Sequence, residues 1–279
     1  VSLDGGAGAG ADQVTVNGTG AANAFTLSAT ASVDGEVRVD SGPLVSFLDL
    51  GSGGSDITLN GLGGDDAFAI TTVANSLIGD VNINGGAPSG SDSATFTLAN
   101  TDDTVTYTPI SANQGTLVVS NGGSTTYNLS DVESLAVDAT GAAADSLTVN
   151  TIGTYVNTPG QEAGSGTALV YLGPGLSNGT LPLNYRHFES VNFVATTAII
   201  TGSAGDDVIV VDRASGVVTV NGNPTDYSGT QTFVINALGG DDRITILAGA
   251  EFPGAGAGAA GIVVIGGDNG GGSDSVIVN

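Results

Sequence analysis

Aspartates that follow glycines are the residues of this chain best suited to chemistry. They stand as adjacent pairs at Asp65-Asp66, Asp206-Asp207 and Asp241-Asp242, with Asp56 nine residues before Asp65. Calcium takes six to eight oxygen ligands, and a glycine turn exposes backbone carbonyls beside a carboxylate. Neighbouring carboxylates repel unless a cation or water separates them. Asp56, Asp65, Asp66, Asp206, Asp207, Asp241 and Asp242 are therefore the candidate Ca2+ ligands. A second role fits the same spacing: each aspartate caps its own turn through a side-chain to backbone hydrogen bond.

A different cluster lies at Asn184-Tyr185-Arg186-His187-Phe188-Glu189, which holds the only histidine and one of four arginines. It is the place for a binding or active site, if the chain has one. As an ordinary loop or edge strand, Tyr185 and Phe188 would pack and the charged residues would stay in water. Glu133, Glu162, Glu189 and Glu251 are scattered singly. No motif sets two of them at the separation that sugar-cleaving carboxylates need. The expectation is a protein without catalytic residues and without an organic cofactor.

Composition narrows the classes further. With 28 acidic residues against four arginines, the net charge is −24, which excludes a surface for nucleic acid or anionic lipid. The chain has no cysteine, so disulfides, thiolate metal sites and cysteine nucleophiles are excluded. Disorder does not fit, because 40% of residues are apolar and the mean hydropathy is +0.24. No apolar window is long enough for a membrane span. The chain starts at Val1 and lacks methionine and lysine. That reads as a mature or excised segment of a protein outside the cell or on its surface.

The elements that must carry these residues are strands. Val14-Thr15-Val16, Val37-Arg38-Val39, Ile57-Thr58-Leu59 and Ile244-Thr245-Ile246 alternate with period two and are bounded by Gly, Asn and Asp. No segment has convincing helical spacing. The block Val1 to Asp12 recurs at Val81 to Asp92 and at Val263 to Asp274, and Ile57 to Ile70 recurs at Phe233 to Ile246. A third element, glycine followed by alternating β-formers, begins at Gly35, Gly115 and Gly216. The units run over 1–80, 81–198 and 199–262, the second containing a long degenerate stretch from Gly160 to Thr197. Residues 263–279 start a further unit and match 1–17 at eight of seventeen positions. Tight glycine turns and few aromatics favour a parallel β-solenoid over a string of small β-sandwiches.

Gly202-Ser203-Ala204-Gly205-Asp206-Asp207-Val208-Ile209-Val210 follows the nine-residue pattern Gly-Gly-x-Gly-x-Asp-x-apolar-x, except at its second glycine. Gly61 to Ala69 departs at the same place. In these turns the chain resembles the RTX repeats of secreted bacterial proteins, and more broadly large repetitive bacterial surface proteins. That resemblance implies calcium shared between motifs nine residues apart, a spacing kept here only by Asp56 and Asp65.

The leading expectation is a structural component of a bacterial extracellular filament, stalk, sheath or surface layer, assembling end to end with itself or continuing a longer repetitive chain. The alternative is a calcium-binding adhesin or passenger domain that folds on export, with glycans as possible partners. A polysaccharide-processing β-helix enzyme comes third. Asn17, Asn128 and Asn178 open N-glycosylation patterns, and Gly254 to Ala260 is a low-complexity linker or stacked small-residue strand.

Overall fold

The computed structural model describes the chain except for residues 7–10, 32, 51–55, 75–77, 88–90, 101, 141–143, 152, 173–175, 177, 229, 231, 248–260 and 268–272. Glu251 and the Gly254–Ala260 linker lie outside the described residues. Every helix and strand described is a strand, 26 of them. They fall into two compact units: residues 1–145 with 180–183, and residues 146–179 with 184–279.

The first unit contains β1 (Ser2–Asp4), β2 (Gln13–Asn17), β3 (Ala24–Ala29), β4 (Gly35–Val39), β5 (Val45–Leu48), β6 (Asp56–Asn60) and β7 (Ala67–Thr71). It continues with β8 (Asp80–Asn84), β9 (Ser93–Leu98), β10 (Thr104–Ser111), β11 (Gln114–Ser120), β12 (Ser124–Ser130) and β13 (Ser134–Ala139). One sheet runs in the order β1-β5-β4-β3-β7-β9-β13 and the other β2-β6-β8-β12-β11-β10. The chain crosses from one sheet to the other and returns one level along, which is the winding of a solenoid. Val14 faces Ile57, which faces Val81, and Val16 faces Leu59, which faces Ile83. Like residues thus stack on like, level after level. Buried positions alternate with more exposed ones along strands such as β6 and β7, as a one-sided core requires. Phe25 stacks on Phe68 with ring centroids 4.7 Å apart. Residues 180–183 join this unit through Leu181, whose N–H donates to the Ser111 carbonyl and whose carbonyl accepts from the Tyr107 hydroxyl.

The second unit contains β14 (Ser146–Asn150), β15 (Thr154–Pro159), β16 (Gly166–Tyr171), β17 (Leu183–Arg186), β18 (Ser190–Val194), β19 (Thr197–Thr201) and β20 (Val208–Asp212). Then follow β21 (Val217–Val220), β22 (Asn223–Asp226), β23 (Thr232–Asn236), β24 (Arg243–Leu247), β25 (Ile262–Ile265) and β26 (Ser275–Val278). Its sheets are ordered β17-β16-β15-β19-β23-β25 and β14-β18-β22-β21-β20-β24-β26. An aromatic stack fills its core: Tyr155 lies 4.5 Å from Phe193, and Tyr227 lies 5.7 Å from Phe193. Asn157 is fully buried beside this stack. It accepts from the Tyr185 hydroxyl at 2.9 Å and donates to the Tyr227 hydroxyl at 2.8 Å.

The expected solenoid is therefore the fold, with one departure from purely parallel pairing. Each unit expands two of its levels into three-stranded meanders: β3-β4-β5 and β10-β11-β12 in the first, β20-β21-β22 in the second, all antiparallel, and in the second also β15-β16-β17, whose β15 and β16 pair antiparallel. Each meander is threaded backwards. In β3-β4-β5, for example, the last strand lies against the preceding level (β5 on β1) and the first carries the next (β3 on β7). The glycine-led third sequence element supplies the middle strands β4, β11 and β21. A fourth middle strand, β16, lies inside the stretch that matches the repeat poorly.

Candidate functional site

The glycine–aspartate turns are the corners where the chain passes between sheets. Each aspartate immediately precedes a strand: Asp66 before β7, Asp92 before β9, Asp207 before β20, Asp242 before β24. At that place its carboxylate meets the backbone of the neighbouring level. In the first unit the Asn23 N–H donates to Asp66 Oδ1 at 2.7 Å, the Asp66 N–H to Asp92 Oδ1 at 2.6 Å, and the Asp92 N–H to Glu133 Oε2 at 2.8 Å. The second unit repeats the pattern, with Asp207 donating to Asp242 Oδ1 at 2.8 Å and Asp242 to Asp274 Oδ1 at 3.1 Å. Backbone carbonyls complete the lacing, as Ser93 N–H donates to Asp66 O and Arg243 N–H to Asp207 O.

The paired aspartates have different surroundings. Asp66, Asp207 and Asp242 are buried, each 1% exposed, whereas Asp65, Asp206 and Asp241 are exposed. Asp206 and Asp241 form a second, outer column in which the Asp241 N–H donates to Asp206 Oδ1 at 2.8 Å. This bond runs from the later level to the earlier, while the Asp207–Asp242 bond runs the other way. Two adjacent aspartates thus lace one pair of levels in both directions. Capping within the same turn also occurs at Asp207, whose Oδ2 accepts the Ser203 N–H at 2.6 Å.

The second oxygens of Asp66, Asp92 and Asp242 are buried and accept no hydrogen bond among the described residues. At Gly61 the reason is steric. A Cβ there would run into Asp66 Oδ2 and the Gly85 carbonyl, so the carboxylate sits directly on the glycine Cα, a weak C–H···O contact. Gly202 receives Asp207 Oδ2 in the same way. Burial pushes the carboxyls of Asp66, Asp92 and Asp242 upward; donated N–H groups pull them back, and neighbouring acids push them up again. Asp103 is raised for the same first cause.

Of the seven candidate calcium ligands, the geometry brings Asp207 together with Asp242, and Asp206 with Asp241. Asp56 lies elsewhere, at the start of β6, where its Oδ1 accepts the Asp80 N–H at 3.3 Å. Among the described residues no group of three or more His, Asp or Glu side chains is placed to hold a metal ion. Asp92, Glu133 and Asp274 belong to the columns as fully as the paired aspartates. Their signal was present in the sequence as an acid immediately before an alternating run, without the doubled aspartate.

The Asn184–Glu189 cluster divides as a packed edge would: Tyr185 and Phe188 are buried, and Arg186, His187 and Glu189 are exposed. His187 has a left-handed backbone, φ 64°, and its Nε2 lies 3.7 Å from Glu162 Oε2. Glu162 comes from the β15–β16 turn, 25 residues earlier, so no local spacing could have linked them. Of the N-glycosylation patterns, Asn128 donates to Asn82 within a ladder of β12 and β8, Asn17 accepts from Asn60, and Asn178 is exposed.

Compared with known protein families, curated proteins and solved structures, the chain has no match.

Proposed function

We infer that the chain is a structural segment of the cell exterior, part of a bacterial filament, stalk, sheath or surface layer that assembles end to end from its β-rich repeats. The observation that carries this reading is like-on-like stacking: Val14/Ile57/Val81, Val16/Leu59/Ile83 and Asn17/Asn60/Asn84 superpose with the register unbroken. Stacks of this kind gain backbone pairing and side-chain ladders at every added level. The strand β26 matches β2 at Val276/Val14 and Val278/Val16, so the last level can serve as the mate of the first. Inward-register apolar residues are exposed on β26, with Val276 at 50% and Val278 at 68%. The resemblance of the turns to repetitive bacterial surface proteins agrees with this role, and the acidic coat would keep neighbouring fibres apart. X-ray fibre diffraction from oriented native material tests it. A meridional reflection at about 4.8 Å, the spacing of stacked strands, is expected; its absence counts against the reading.

A calcium-dependent adhesin is the second reading. It is favoured by the outer column of Asp206 and Asp241, which aligns exposed carboxylates of successive levels on a chain of net charge −24. Its test is thermal: a large rise in melting temperature in millimolar calcium, reversed by chelator.

A further inference from the structure

In the second unit the β15–β16 turn stands between two depressions that share Thr158, Pro159, Gly160 and Gln161 as a common wall. One, about 350 Å³, continues past Thr201, Ser203 and Asn221; the other, about 500 Å³, reaches Ser165, Thr167 and Arg186. We propose that this double groove binds a short uncharged oligosaccharide, one sugar unit or two on each side of Gln161.

The turn is held in advance of any ligand. Asn223 Nδ2 donates to the Gly160 carbonyl at 2.7 Å, the Ser165 hydroxyl to the Glu162 carbonyl at 2.6 Å, and the Phe188 N–H to the Gly164 carbonyl at 3.2 Å. A wall already ordered does not charge its ordering entropy to binding. Hydroxyls and amides of Thr158, Gln161, Ser203, Asn221 and Ser165 stand among the lining residues, groups that donate and accept at once and so match the hydroxyls of a sugar. Gln161 is exposed at the crest and faces both sides. Arg186 and Glu162 bring one charge of each sign to the second depression, and the Asp207 carboxylate in the wall of the first already accepts the Ser203 N–H, which suits neutral hydroxyls better than an anionic ligand. An anionic glycan would also meet the repulsion of a −24 chain. Next in sequence to Arg186, His187 takes a left-handed backbone conformation that costs a non-glycine residue energy. It stands 3.7 Å from Glu162, linking β17 to the turn.

Calorimetric titration of the full chain with cellotriose, mannotriose, chitotriose and trigalacturonate tests the proposal, beside the Gln161→Ala and Arg186→Ala variants. At least one of the three neutral sugars binds with a dissociation constant below about 1 mM. Each substitution weakens that binding at least about tenfold, the loss of one good hydrogen bond, while the melting temperature stays within about 2 °C. Silence from all four sugars overturns the proposal, as does neutral-sugar binding that neither substitution affects. Binding of trigalacturonate alone overturns the uncharged class. Should a variant fail to fold, Gln161→Glu keeps the side chain's size and decides the point in its place.

Discussion

The N–H of Asp207 donates to the carboxylate of Asp242 at 2.8 Å, while the N–H of Asp241 donates to the carboxylate of Asp206, also at 2.8 Å. The Gly-Asp-Asp corner is thus a two-way lace between stacked levels. Its inner strand is buried and its outer strand wet.

Removing the inner carboxylate leaves the buried Asp207 N–H without its acceptor. Asp242→Ala is expected to cost about 1–3 kcal/mol of unfolding free energy. Asp242→Asn, which retains an acceptor oxygen, is expected to cost less. Urea denaturation of the two variants beside the native chain checks the order, and equal losses would argue against the lace.

Corner glycines are expected to resist even one added methyl group. At Gly61 a Cβ would meet both the Asp66 carboxylate and the Gly85 carbonyl, and overpacking of this kind costs about 1–3 kcal/mol. Gly20 is an internal control, because a Cβ there meets nothing within 4 Å. Gly61→Ala lowers the melting temperature and Gly20→Ala leaves it nearly unchanged.

Stability should rise on mild acidification. The carboxyls of Asp66, Asp92, Asp103 and Asp242 are raised in the folded chain, with burial the first cause. A raised group contributes stability that is fully present below its unfolded value, about 3.9, and lost as pH climbs through the folded value. Asp40 and Asp212 oppose this. They are lowered chiefly by the N–H of Ala24 and by Ser215 respectively, so their contribution disappears in stronger acid. The melting temperature is expected to climb as pH falls from neutrality toward the unfolded carboxylate value, about 3.9, and to turn over below it. A flat profile over that range would contradict the assignment of the buried columns.

In the second unit, Tyr227→Phe strips the acceptor from the Asn157 amide, which is fully buried. About 1–3 kcal/mol of stability is expected to be lost, although the aromatic stack is preserved. Denaturant titration with a near-ultraviolet signal separates the two effects.

Much of this fold was legible as period-two alternation. Ile57-Thr58-Leu59 and Ile244-Thr245-Ile246 point inward and outward as the pattern demands. Glycine led the middle strands β4, β11 and β21 into view. The strand β16 escaped, because its run Gly166-Thr167-Ala168-Leu169-Val170 sits between proline- and glycine-rich turns that break the repeat. The backward threading of the meanders was invisible for a plainer reason: antiparallel and parallel strands with one buried face carry the same alternation. At the corners, the doubled aspartates drew attention to Asp65 and Asp66 alike. Nothing local distinguishes the residue that faces solvent from the one that takes a neighbour's N–H. Asp92 and Glu133 lacked the doublet and were not among the candidate ligands, although Asp66 N–H donates to the first and Asp92 N–H to the second. The two halves of the groove at Gln161 come from segments as far apart as Thr158 and Asn221, beyond the reach of any motif.

Negative-stain electron microscopy of the native material tests the central claim most directly. Continuous filaments or a sheet lattice with an axial repeat equal to one chain are the predicted result. Discrete, monodisperse particles that do not associate at any concentration would contradict it.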